Sequence, residues 1–152
     1  MFKYWISLSE LNINDIDTIN VIDMNNLFSG CINLFSINIE NWNLQNVQYI
    51  NSMFKDYLSL TSINLDLFNT NKLKDISYLF KGCNNIENIT LNNFNTNSIE
   101  NMESAFEECY SLKELNLSQL RTDNVKNISC LFKECQKLTN LLIQNFNFFK
   151  FK

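Results

Sequence analysis

Apolar residues recur along this chain with a period of 26. Phe2, Phe28, Phe54, Phe80, Phe106 and Phe132 follow one another without a single insertion or deletion. With each Phe numbered as position zero, position nine reads Leu11, Ile37, Ile63, Ile89, Leu115 and Leu141. Position eleven reads Ile13, Ile39, Leu65, Leu91, Leu117 and Ile143, and positions six, fourteen, nineteen, twenty-two and twenty-five are apolar in the same way. Eight apolar columns held over five full copies exceed what chance supplies. The chain reads as one repeat domain, residues 1–152, with repeats beginning at residues 2, 28, 54, 80, 106 and 132, the last incomplete.

Two periodicities divide each repeat. Positions nine and eleven alternate with polar neighbours, as in Ser62-Ile63-Asn64-Leu65-Asp66, which predicts a short half-buried strand. Val47, Ile50, Met53 and Phe54 keep the three-and-four spacing of one helical face and predict a helix of about ten residues. Thr18, Thr70, Thr96 and Thr122 stand just before that segment, where their hydroxyls suit an N-cap. Leu44 interrupts the column and leaves Asn43 or Asn46 to cap instead. One strand and one helix cannot bury their apolar faces alone, so copies must stack. The expected fold is an α/β repeat, a leucine-rich-repeat-like solenoid with one short parallel strand and one short helix in each 26-residue repeat.

The segment Asn101-Met102-Glu103-Ser104-Ala105-Phe106-Glu107-Glu108-Cys109-Tyr110-Ser111-Leu112-Lys113-Glu114-Leu115-Asn116-Leu117 resembles the repeat of BspA-like leucine-rich repeat surface proteins, which include a mycoplasma-type lipoprotein repeat. Residues 17–31, from Asp17-Thr18-Ile19 to Ser29-Gly30-Cys31, are similar to it in the same degree. The resemblance spans nearly the whole chain. It implies a module displayed on the cell surface or secreted, engaged in adhesion and in binding proteins of a host or neighbouring cell. Residues 1–10 carry one Lys but no apolar core, small-residue cleavage site or lipid-attachment cysteine, so a cytoplasmic location is the alternative.

Composition narrows the chemistry. The chain has no histidine, no proline and two glycines, which removes Ser-His-Asp and Cys-His couples, His-ligated metals and Gly-rich phosphate loops. A net charge of −4, with lysines scattered among acids, offers no footprint for nucleic acid. No apolar run approaches the roughly 18 residues of a membrane span. Asparagine occurs 28 times, a skew that AT-rich codons explain. The expectation is a non-catalytic protein with no cofactor. Asp17, Asp23, Asp56, Asp66, Asp75 and Asp123 are spread over five positions of the repeat and form no full column, so no calcium or other metal is expected.

Two candidate sites follow from the columns. Outward strand positions supply Asn12, Asn38, Asn64, Thr90 and Asn116 at position ten, and Asn14, Glu40, Asp66, Asn92 and Ser118 at position twelve. In stacked-repeat proteins that face commonly binds a protein or glycan, and rows of amides and hydroxyls offer donors and acceptors. The plainer reading is that these side chains hydrogen-bond along the stack or fill solvent-facing slots. Cys31, Cys83, Cys109 and Cys135 form a column at position three, shared with Trp5 and Tyr57. That interchange favours packed thiols over a disulfide between neighbouring repeats or a metal site. Cys130 lies outside the column and makes the count odd, which suits a reducing compartment. The aromatic tail from Phe146 to Lys152 and the open ends leave a second function in view: a scaffold that associates end to end with copies of itself.

Overall fold

The structure, a computed structural model, describes residues 1–147. Four three-residue strands are present: β1 Ser62–Asn64, β2 Asn88–Thr90, β3 Glu114–Asn116 and β4 Asn140–Leu142. Each covers positions eight to ten of its repeat, where the alternation predicts a strand. β1 pairs with β2 and β3 with β4, both parallel and both in a 26-residue register, as in Ile63 opposite Ile89 and Leu115 opposite Leu141. The two sheets are separate: β2 lies beside β3, but no backbone hydrogen bond among the described residues joins them. In the first two repeats the equivalent contact is a single parallel bridge, Leu11 to Ile37.

The expected α/β solenoid of one strand and one helix per repeat is not what the chain forms. Among the described residues there is no helix, and the strands make only two small sheets. The segment assigned to the helix is instead a strip of overlapping turns. Within it Asn26, Ser52, Tyr78, Ser104 and Cys130 have φ of 53° to 59°, and Gly30, Asp56, Gly82, Glu108 and Glu134 have φ of 56° to 74°. A right-handed helix admits no such residues. Local composition points the same way, since Asn, Ser, Gly and Asp favour turns and the chain has a single alanine, Ala105.

The strip satisfies its backbone in two directions. One set of N–H groups folds back three residues, as when Leu27 donates to Met24 O and Ser29 to Asn26 O. The alternate set reaches the next repeat: Met24 N–H donates to Tyr49 O (2.9 Å), Asn26 to Asn51 O (3.0 Å), Phe28 to Met53 O (2.9 Å) and Gly30 to Lys55 O (2.8 Å). The same four rungs recur from Ile50–Asp56, Ile76–Gly82 and Met102–Glu108 to the repeats after them. Alongside runs one opposite rung, in which Gln48, Lys74, Glu100 and Lys126 donate to the repeat before.

The apolar columns point into this framework. Phe28, Phe54, Phe80 and Phe106 are buried, and successive Phe rings from residue 2 to residue 132 stack at 5.4 to 5.9 Å between centroids. Val47, Leu73, Ile99 and Val125 are fully buried beside them. The Thr column is buried too, but not as N-caps. Thr70 Oγ1 donates to Asn95 O (3.0 Å) and accepts Asn95 N–H (2.6 Å), and Thr96 does the same with Arg121 and Thr18 with Asn43. Each hydroxyl therefore ties its repeat to the next. Leu44 is buried in that column, while Asn46 donates from its amide to Ile19 O (2.8 Å).

Candidate functional site: the strand face

The strand-face residues predicted from the sequence do share one surface. Asn12, Asn38, Asn64, Asn92, Asn116 and Glu40 are exposed, and Asn14, Asp66, Thr90 and Ser118 are half-buried. The period-two pleat drives Ile13, Ile39, Leu65, Leu91 and Leu117 inward and leaves their polar neighbours outside.

Most position-ten asparagines are half engaged. The Oδ1 atoms of Asn12, Asn38, Asn64 and Asn116 accept the backbone N–H two residues on, at 3.3, 3.1, 2.9 and 3.0 Å. This is the turn that Asn favours over other residues. It fixes each side chain by its oxygen and leaves the amide N–H groups turned outward. Asp66 is engaged differently, accepting Asn92 N–H (2.6 Å) and Asn92 Nδ2 (3.0 Å), so it holds the next repeat's corner.

The same turn forms at two further corners. Asp17, Asn43, Asn69 and Asn95 make it at position fifteen, and Asp23, Asp75, Asn101 and Asn127 at position twenty-one. A second device runs between repeats: Asn33 and Asn85 donate from their amides to Ile6 O and Leu58 O, and Asn124 donates to Asn97 O. These columns put asparagine to structural use. Repetition of Asn or Asp at fixed positions was the sequence signal for it.

Interrupted strand pairing shapes the surface. Where β2 and β3 stay unbonded, an open groove of about 330 Å³ is lined by Asn88, Thr90, Asn92, Glu114 and Asn116. A second, of about 490 Å³, lies between the second and third repeats and includes Asn38, Glu40 and Asn64. The face thus offers amide, hydroxyl and carboxylate groups along shallow slots.

The cysteine column lies on a different surface of the core. Cys31, Cys83 and Cys109 are buried, Cys135 is half-buried, and all are free thiols, as is the exposed Cys130. Each column thiol donates to the Phe carbonyl of the preceding repeat, Cys31 to Phe2 O (3.0 Å) and Cys83 to Phe54 O (3.0 Å) among them. Burial pushes these thiols up, Cys135 to about 11 and Cys83 and Cys109 further. Thiolate chemistry is suppressed there. Tyr57 fills the same slot, fully buried, with its hydroxyl unpartnered. No group of three Cys, Asp or Glu among the described residues can hold a metal ion, and no helix there is long and apolar enough to cross a membrane.

One charged group escaped the sequence reading. Glu107 is buried, with Lys81 Nζ at 2.7 Å from the repeat before and Lys133 Nζ at 3.2 Å from the repeat after. Burial alone raises a carboxyl; here the hydrogen bonds from Lys81, Ser104 and Lys133 outweigh it and hold Glu107 down at about 2. No column signalled it, because Ser29, Lys55 and Lys81 occupy its position elsewhere. The aromatic tail falls in part outside the described residues: Phe146 is buried, and residues 148–152 are not described.

No match was found among curated proteins or among solved structures. A family model does match, twice and with overlap, over residues 1–89 and 59–152; its description reads Mycoplasma protein of unknown function. This agrees with the mycoplasma-type repeat expected from the sequence, without extending to BspA-like leucine-rich repeats. The two matched stretches together span the whole repeated chain, and the chain belongs to that Mycoplasma family of unknown function, DUF285.

Proposed function

We propose that the chain is a non-catalytic interaction module that binds a protein or glycan through its strand face. The observation that carries this reading is the asparagine row: Oδ1 of Asn38, Asn64 and Asn116 is tied to the backbone, so their amides stand outward as fixed donors, one per repeat. Donors held in register lose little freedom on binding. Display on or release from the cell surface, with a host or neighbouring cell supplying the partner, belongs to the same proposal and is carried over from the resemblance to BspA-like surface proteins.

The test replaces Asn38, Asn64 and Asn116 together by Asp. Asp keeps the oxygen that closes each turn but removes the amide donor, so the fold stays intact. Binding of the labelled chain to intact cultured cells and to a glycan array should fall about tenfold or more, with an unchanged thermal midpoint. Binding that survives the triple replacement rejects the strand face.

A further inference from the structure

The charge of this chain is not shared evenly among its repeats. Residues 1–53 carry Glu10, Asp15, Asp17, Asp23 and Glu40 against Lys3 and so hold the whole net charge of −4, while residues 54–152 contain acids and bases in equal number. Ion pairing sharpens the contrast. In the later repeats carboxylates meet lysines one repeat away, as Glu87 beside β2 meets Lys113 beside β3 at 2.9 Å. No carboxylate of residues 1–53 is ion-paired among the described residues.

The same half of the strand face carries a bare aromatic ring. Phe35 is 71% exposed, at a position that Ser9, Thr61, Glu87, Lys113 and Thr139 fill in the other repeats. It stands at the rim of the slot between the second and third repeats, where no backbone hydrogen bond among the described residues joins residues 35–40 to residues 61–66. Glu40 lines the same slot five residues along, about 16 Å away at the rise of an extended strand. Between them the slot holds Asn38 and Asn64, each tied by its oxygen with the amide outward.

A ring, then two amide donors, then an unpaired carboxylate call for a linear partner that is apolar, then rich in acceptors, then cationic. An extended peptide meets all three demands. Its carbonyls accept from the amides, and its side chains four residues apart stand on one face about 13 Å from each other. Charge decides among linear partners, because a neutral glycan leaves Glu40 unmatched and a sulfated or uronic one is repelled by the acidic half. We propose that the slot between the second and third repeats binds an extended segment of a partner protein, which lays an apolar side chain on Phe35 and, four residues on, sets a lysine or arginine against Glu40. The assignment rests on the strand-face reading and gives it a partner chemistry and a place.

The experiment applies the labelled 152-residue chain to a dense array of capped pentapeptides with Thr-Val-Thr at the centre, Phe, Leu or Ser first, and Arg, Lys, Gln or Glu last. The strongest binding is expected with Phe or Leu first and Arg or Lys last, falling about tenfold as salt rises from about 0.05 to 0.5 M. Phe35 and Glu40 are both exposed, so Phe35→Ser and Glu40→Lys leave the thermal midpoint in place. Phe35→Ser should erase the preference at the first residue with a loss of about fivefold, and Glu40→Lys should reverse the preference at the last from Arg to Glu. Should Phe35→Ser fail to fold, the reversal in Glu40→Lys is decisive. An array on which the last residue makes no difference, or a preference that neither variant alters, overturns the peptide slot. Binding to a glycan array alone, lost in the triple Asn38, Asn64 and Asn116 variant, also overturns it but leaves the strand face standing. Binding to either array that survives the triple variant overturns both, since Asp sets an oxygen where each carbonyl of the peptide needs a donor.

Discussion

Single side chains in this protein work mainly by linking one repeat to the next. The buried Thr column shows it best, because each hydroxyl donates and accepts at one backbone position of the following repeat. Thr96→Val keeps the shape and removes both bonds, leaving the N–H and carbonyl of Arg121 without that partner. The expected loss is about 1–3 kcal/mol by chemical denaturation, with Thr96→Ser recovering most of it. In the second repeat Leu44 occupies the same slot, buried and without a hydroxyl to make the tie. Glu107 works on both sides at once. Its carboxyl is held at about 2 against an ordinary 4.5, so its contribution is present in full above about pH 4.5 and is lost as the pH falls toward 2. Urea denaturation should show stability falling over that window, and Glu107→Gln should flatten that part of the profile.

At the level of elements, the apolar period and the inward strand positions were legible in the sequence, because strand alternation has only one structural meaning. The segment between strands was not. Val47, Ile50, Met53 and Phe54 satisfy the spacing of a helical face, yet a strip of overlapping turns also turns every third or fourth side chain inward. Glycine was the discriminating sign: Gly30 and Gly82 share one position of the repeat, at φ of 72° and 74°. A Cβ at Gly82 would stand 2.3 Å from Asp56 Oδ1. Gly82→Ala should therefore cost about 1–2 kcal/mol, where a helical glycine would gain from the same change. Its thermal midpoint settles which conformation the segment holds. The candidate strand face was legible for the same reason as the strands, whereas the internal engagement of Asn64 Oδ1 and its neighbours was visible only once the backbone turns were in place.

Across the whole molecule, the repeats share a core but not a uniform surface. Strand pairing joins them two by two, while the turn strips run without interruption from the first repeat to the last. The strips therefore carry the continuity that a continuous sheet would otherwise supply. Their direction has an electrical consequence. In an ordinary sheet neighbouring peptide dipoles largely cancel. In each complete strip here four peptide units point the same way, C=O toward the first repeat and N–H toward the last, and a single rung opposes them. The aligned units add from repeat to repeat. The protein thus bears a macrodipole along its stack with the positive pole at the C-terminal end, opposite in sense to that of an α-helix.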